Sequence, residues 1–142
     1  MKTLRQILQG KGHGVVSVSP DATVHDALVR MAEKEVGAVL VLEGERLVGV
    51  FSERDYARKT MQHTKSSRET LVREFMTSKV LWVKPNQTVE ECMALMTEKH
   101  VRHLPVLQDD KVIGVISIGD AVKEMLSEQQ FIIEQLEHYI HL

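Results

Sequence analysis

The sequence is poor in the features that mark secreted, membrane-spanning and nucleic-acid-binding proteins. It holds one cysteine, Cys92, in 142 residues, which excludes an internal disulfide and is typical of a reducing compartment. No apolar run approaches the roughly 20 residues of a spanning helix, and the N-terminus lacks the pattern of a secretory signal. A net charge of -2 offers nucleic acid no basic face. These absences predict a cytoplasmic protein with neither membrane nor nucleic acid as partner.

Motifs of catalysis are missing as well. There is no GxGxxG loop, no Walker-type phosphate loop and no GxSxG elbow, so we predict neither catalytic residues nor a catalytic cofactor. Cys92 lies in the apolar helical segment CMALM, which favours a buried thiol over a nucleophile. The pairs His100/His103 and His138/His141 have the spacing of helical metal ligands, but neither has a cysteine or acid nearby to complete a site. We therefore predict no metal site.

What the chain does contain is an internal repeat. Residues 15–60 align with residues 80–125 without a gap at an offset of 65, and fifteen of the 46 positions are identical. A repeat of this kind indicates two copies of one structural unit. In each copy, β-rich and helically periodic segments alternate as β-α-β-β-α, with first strands at 15–18 and 80–83.

The remaining segments connect or extend the two copies. We divide the chain into an N-terminal extension with the first copy (1–62), a linker with a short helix (63–79), the second copy (80–126) and a C-terminal helix (127–142). The short helix at 71–76 is predicted to pack on the second copy. The apolar stripe of the C-terminal helix is predicted to pack on the body or on another subunit.

Each copy ends in the same polar heptad, GVFSERD at 49–55 and GVISIGD at 114–120. One interpretation is structural, because Ser52 with Asp55, and Ser117 with Asp120, have the spacing of a capping box at a helix start. The other is functional: a carboxylate at a strand end accepts hydrogen bonds from the two hydroxyls of a ribose. The helix N-terminus beside it offers free N–H groups to an anion.

The two units, each ending in GVxSxxD, resemble a tandem pair of CBS domains (the cystathionine-β-synthase type, or Bateman module) over about residues 12–126. The segment VRHLPVL followed by KVIGVISIGD carries most of this resemblance. It implies an α+β fold with two β-α-β-β-α repeats packed about a pseudo-twofold axis, flanked by N-terminal and C-terminal helical extensions. Two clefts between the repeats, an adenine nucleotide ligand (AMP, ADP, ATP, NAD or S-adenosylmethionine) and a homodimer are also implied.

The resemblance further assigns roles to matching residues. The carboxylates of Asp55 and Asp120 each hold a ribose in separate clefts, and the segments 77–80 and 11–15 face Asp55 and Asp120 respectively. The implied nucleotide-binding residues are Asp120, Ser117, Ile118, Gly119, Asp55, Ser52, Arg54, Gly37, Ala38, Val39, Arg102, His103, Leu104, Pro105, Thr77, Lys79, His13 and Val15.

The copies differ near the implied clefts, since Gly37-Ala38 in the first corresponds to Arg102-His103 in the second. We therefore expect unequal binding, with Arg54 and Arg58 favouring a polyphosphate or dinucleotide near Asp55. The resulting hypothesis is a regulatory module that binds adenine nucleotide and acts in trans on an effector protein that the sequence does not identify. The alternatives are an interaction scaffold with vestigial clefts and a metal-responsive sensor.

Overall fold

The chain folds as two copies of the predicted unit, with one helix before them and a long helix at the end. The structure is a computed structural model and describes residues 2–62 and 64–140. The first part of the chain forms α1 (Leu4–Lys11), β1 (Ser17–Val18), α2 (Val24–Lys34), β2 (Ala38–Glu43), β3 (Arg46–Ser52) and α3 (Glu53–Thr60). The second part forms α4 (Val72–Phe75), α5 (Val89–Lys99), β4 (His103–Gln108), β5 (Lys111–Ser117) and α6 (Ile118–Ile140).

The two copies begin and end their first helices alike. Thr23 and Thr88 are the N-caps of α2 and α5, and each side chain accepts a hydrogen bond from a backbone N–H of the first turn. Glu35 and His100 end the two helices in the left-handed conformation, each with φ of 55°. The predicted caps are therefore confirmed in both copies.

The hairpins also match in register. Strands β2 and β3 pair antiparallel, as do β4 and β5, and both pairs carry a register shift at the same place, after Val41 and after Val106. In the first copy β1 adds a parallel strand, with the Leu40 N–H donating to the Val16 carbonyl at 3.0 Å.

The second copy lacks the equivalent first strand that was predicted at 80–83. Only Val83 forms a bridge there, to Val106. The reason is Pro105, which stands where the first copy has Leu40 and has no N–H to donate to the chain beside it. The α+β fold of two repeats is otherwise confirmed.

The structure contains two apolar cores, and each is completed by a helix from outside its own repeat unit. Helix α1 precedes the first repeat but packs on the second, with Leu4 and Leu8 fully buried beside Ile116. Helix α4 packs on the first repeat, and Val72 and Phe75 are buried there. The prediction that residues 71–76 pack on the second repeat is therefore wrong, because the apolar face of this helix completes the core of the repeat that precedes it.

A glycine in each hairpin makes room for these helices. A Cβ atom placed on Gly114 would lie 2.5 Å from a Cδ atom of Leu8, and one on Gly49 would lie 2.5 Å from Sδ of Met76. Such distances are far below van der Waals contact, so a side chain at either position would displace the side chain of Leu8 or Met76 that packs there.

We expect Gly114→Ala to lower the free energy of unfolding by about 1–3 kcal/mol, because the added Cβ would lie 2.5, 2.9 and 3.2 Å from three side-chain atoms of the fully buried Leu8. The matched control is Gly10→Ala within α1, where a Cβ would meet nothing within 4 Å. That variant should gain about 0.5–1 kcal/mol from helix propensity. Urea unfolding of both variants checks this, and equal stability of Gly114→Ala and wild type would contradict the close approach.

Helix α6 leaves the body of the protein after its first turns. Five of its apolar residues fall on one face, at the spacing of an amphipathic helix, and most of this face is exposed, while Phe131 is exposed on the opposite side. We call this face the α6 stripe; its members are Val122, Leu126, Ile133, Leu136 and Ile140, of which Leu126, Leu136 and Ile140 are more than half exposed. The body of the same chain, one of the two predicted packing partners, therefore does not cover the α6 stripe. No helix among the described residues is long and apolar enough to span a membrane.

Candidate functional site

Two cavities lie where the repeats meet, each beside one of the two heptad carboxylates. The Asp55 cleft has a volume of about 580 Å³ and the Asp120 cleft about 390 Å³, both within the range of small-molecule sites. The polar residues of the Asp55 cleft are Ser52, Glu53, Arg54, Asp55, Arg58, Thr77, Lys79, Lys99, His100, Arg102, His103 and Ser117. Those of the Asp120 cleft are Lys11, Glu35, His103, Ser117 and Asp120.

The capping-box interpretation of the first heptad is confirmed. Strand β3 ends at Ser52, whose hydroxyl accepts from the Asp55 N–H at 3.2 Å, while Asp55 Oδ2 accepts from the Ser52 N–H at 2.9 Å. The Ser52 hydroxyl also lies 2.9 Å from Oδ2, and Thr77 Oγ1 donates to Oδ1 at 3.1 Å. A carboxylate has about four acceptor positions, so Oδ1 retains one for a further donor.

The second heptad forms the same reciprocal pair, with one additional donor. The Ser117 N–H donates to Asp120 Oδ2 at 2.8 Å and Ser117 Oγ accepts from the Asp120 N–H at 3.1 Å. Lys11 Nζ donates to the same Oδ2 and to the Val115 carbonyl, the latter at 2.6 Å. In the part of the chain that the structure describes, no hydrogen bond reaches Oδ1 of Asp120, so both of its acceptor positions are open.

Electrostatics keep Asp120 ionised. Desolvation by burial raises the pKa of its carboxyl group, but the hydrogen bonds from Lys11 and Ser117 outweigh this, and the pKa lies below its ordinary value. Asp120 therefore carries a negative charge at neutral pH, and the ammonium group of Lys11 compensates that charge.

His103 stands between the two clefts and lines both. A Cβ on Gly37, which also lines both, would lie 3.7 Å from Cε1 of its ring, so the two residues together form the dividing wall. Burial lowers the pKa of His103, and Lys11 lowers it further, while Asp120 and Glu53 oppose the effect. The ring is consequently neutral at neutral pH.

The structure distributes the predicted site residues unevenly. Ser52, Arg54, Asp55, Thr77, Lys79, Arg102, Ile118 and Gly119 line the Asp55 cleft, and Ala38, Val39 and Asp120 line the Asp120 cleft. Gly37, His103 and Ser117 line both. Segments 77–80 and 11–15 contribute as the resemblance implied, through Thr77 beside Asp55 and Lys11 beside Asp120.

Four predicted residues line neither cleft. Leu104 and Pro105 are buried within β4. Leu104 belongs to the apolar core, and the Pro105 carbonyl accepts a hydrogen bond from the Val83 N–H. His13 Nδ1 lies 2.8 Å from the Ile113 carbonyl, and Val15 is half-buried outside both cavities. We omit these four from the proposed site.

Sequence reasoning missed several lining residues, chiefly Glu35, Lys99 and His100. Glu35 and His100 are the left-handed residues that end α2 and α5, and each lines the cleft nearest to it. Their equivalent positions in the aligned copies were a usable signal, because a residue just before a strand that ends at a cleft has a good chance of reaching that cleft.

The histidine pairs and Cys92 were the candidates for metal binding and nucleophilic chemistry, and they form no such site among the described residues. Residues 2–62 and 64–140 contain no group of three potential metal ligands, and His141 of the second histidine pair lies outside them. Cys92 is fully buried, and burial raises the pKa of its thiol to about 11. The prediction of a buried thiol is confirmed.

The two clefts differ most in charge. The Asp55 cleft is lined by five cationic side chains (Arg54, Arg58, Lys79, Lys99 and Arg102) against two acids, Glu53 and Asp55. The Asp120 cleft has one cation, Lys11, against Glu35 and Asp120. Since anionic groups are held by clustered cations, the first cleft is suited to phosphates and the second is not.

Two solved structures of CBS-domain proteins share this fold at 16% and 26% sequence identity. The CBS domain pair of protein MJ0100, crystallised in complex with 5'-methylthioadenosine and S-adenosyl-L-methionine, is 16% identical and superposes with a TM-score of 0.79 over 90% of this chain and 98% of that one. A hexameric CBS-CP12 protein from bloom-forming cyanobacteria is 26% identical, with a TM-score of 0.75 over 85% of this chain and 66% of that one.

Closer relatives match both repeats. The mitochondrial CBS domain-containing protein CBSX3 of Arabidopsis thaliana is 35% identical over 147 residues, covering 97% of this chain and 71% of that protein. That relative is mitochondrial, so the cytoplasmic location of this chain stays a prediction. The crystal structure of the CBS domain NE2398 is 50% identical and superposes with a TM-score of 0.85 over 88% of this chain and 98% of that one.

The sequence profile of the CBS domain matches residues 12–61 and 72–127. With two such matches, two equivalent repeats and paired carboxylates at their junction, the chain belongs to the CBS-domain family and is a tandem CBS domain pair, a regulatory module.

Proposed function

We propose that this protein binds an adenosine polyphosphate in the Asp55 cleft and, in the bound form, regulates a partner protein in trans. The observation that supports this most is the combination of a carboxylate with a free acceptor position and five cations around one cavity. The carboxylate is suited to a ribose hydroxyl and the cations to phosphates. The adenosine ligands of protein MJ0100 support the choice of an adenosine compound.

The groups that would hold the ligand come from different parts of the chain. Asp55 and Arg54 belong to α3 of the first repeat, Arg102 precedes β4 of the second, and Lys79 lies in the linker. A ligand in contact with all of them links the two repeats. Binding would therefore favour conformations in which the repeats are held in one relative position, and a partner that recognises this position would respond to the ligand.

The α6 stripe supplies a surface for assembly. Its side chains are apolar, exposed and aligned on one helix face, and contiguous exposed apolar patches mark interaction sites. We propose that two copies of the chain pair through this stripe, because a twofold dimer lets the same face meet itself.

Calorimetric titration with ADP, ATP, AMP and NAD tests the ligand. We expect saturable heats with ADP and ATP, and at least tenfold weaker ADP binding by Asp55→Asn, since a hydrogen bond to a charged group contributes about 1.5–3 kcal/mol. The matched control is Asp26→Asn, which changes the acid at the same position of α2 but lies outside both clefts.

Two results would contradict the proposal. Equal ADP affinity of Asp55→Asn and wild type would remove the ribose role of this carboxylate. No heat with any of the four nucleotides would instead favour the interaction scaffold with vestigial clefts.

A further inference from the structure

We propose that the Asp120 cleft binds a ribonucleoside that carries no phosphate, so that the two clefts take chemically different adenosine ligands. This rests on the proposed function, because it assigns to Asp120 the ribose contact proposed for Asp55. The two clefts differ in charge at equivalent positions of the repeats.

The Asp120 cleft has lost the groups that would hold a phosphate. At the offset of 65, Lys79 and Arg102 of the Asp55 cleft correspond to Gly14 and Gly37 of the Asp120 cleft. A third difference adds a carboxylate, because Glu35 of the Asp120 cleft stands where the Asp55 cleft has His100. Two cations are thus absent and a carboxylate is added, which disfavours an anionic ligand.

The remaining cation is already engaged. Lys11 is the one lysine or arginine among the described residues that line this cleft, and its ammonium group donates to Asp120 and to the Val115 carbonyl. One N–H of Lys11 is left for a phosphate, but the charge of Lys11 is already compensated by the ionised Asp120, and a phosphate would also approach the carboxylate of Glu35. Both effects oppose phosphate binding.

The cleft nevertheless retains what a nucleoside needs. Oδ1 of Asp120 has both acceptor positions open among the described residues, which is enough for two neighbouring ribose hydroxyls. Val16 and Val36, both partly exposed, line the same cavity and offer an apolar surface for a planar base. Its volume is also the smaller of the two, as expected for a ligand without a phosphate tail.

Calorimetry with adenosine and AMP tests this in an Asp55→Asn background, which weakens binding in the other cleft. We expect adenosine to bind at least fivefold more tightly than AMP, and the additional change Asp120→Asn to weaken adenosine binding at least tenfold. A second variant, Gly14→Lys with Glu35→Gln, adds a cation and removes an anion in the Asp120 cleft. It should raise the AMP affinity relative to the adenosine affinity at least tenfold. Position 14 accepts a side chain, because a Cβ there meets nothing within 4 Å.

The outcomes separate this inference from the proposed function. If ADP binding depends on Asp55 but AMP binds the Asp120 cleft as tightly as adenosine, or adenosine does not bind, the inference fails and the proposed function stands. If the Gly14→Lys and Glu35→Gln variant has the same ratio of AMP affinity to adenosine affinity as the protein without these changes, the inference is also overturned. If Asp55→Asn has no effect on ADP binding, the proposed function itself fails.

Discussion

Replacing Arg102 by glutamate is expected to weaken ADP binding at least a hundredfold. The side chain lines the Asp55 cleft and is exposed to the ligand space. The substitution removes one cation and places an anion beside a polyphosphate, and juxtaposed like charges at a binding site cost several kcal/mol. A hundredfold change in affinity needs about 2.8 kcal/mol, which this effect supplies.

The matched control for this experiment is Arg30→Glu. It makes the same change in net charge on the exposed face of α2, away from both clefts. Calorimetric titration of ADP into both variants should show a large loss for Arg102→Glu and near wild-type affinity for Arg30→Glu. If both lose affinity equally, overall charge attracts the nucleotide and the cleft does not hold its phosphates.

The second large effect is expected at the α6 stripe. We expect the double variant Ile133→Glu and Leu136→Glu to behave as a monomer of 16.1 kDa, whereas the wild type has twice this mass. Both side chains are about half exposed in the single chain, so the change should not unfold it. In the dimer the new carboxylates would be buried without partners, which is strongly unfavourable.

Light scattering coupled to size-exclusion chromatography measures these masses. Gln135→Glu serves as the control, because it adds a carboxylate to an exposed position of the same helix outside the stripe. A wild-type protein that is monomeric at high micromolar concentration would contradict the proposed pairing, as would a double variant with unchanged mass.

The internal repeat explains why so much of the fold could be predicted. Each local signal, such as the caps Thr23 and Thr88, occurs twice, so that one copy checks the other. The errors arose where tertiary contacts decide the structure. Helix α4 has only four residues, too few for a periodic pattern to show where it packs, and its partner is set by the core that it completes. Pro105 ends the parallel pairing in the second copy through its missing N–H, which acts on a neighbouring strand rather than its own.

The candidate site was predictable to a similar extent. The carboxylates follow directly from the repeated heptads, and the family resemblance placed segments 11–15 and 77–80 beside them. Glu35 and His100 also line the clefts, at equivalent positions of the two copies, but the periodic pattern did not identify them. Each reaches a cleft because its backbone turns into the left-handed conformation at a helix end, and periodicity does not report that geometry.

The most direct test of the account is a crystal structure of the protein grown with ADP. We predict the nucleotide in the Asp55 cleft, with a ribose hydroxyl within about 2.6–3.2 Å of Oδ1 of Asp55 and the phosphates in contact with Arg102. ADP bound away from this cleft, with Asp55 still engaged by Ser52 and Thr77 alone, would contradict it.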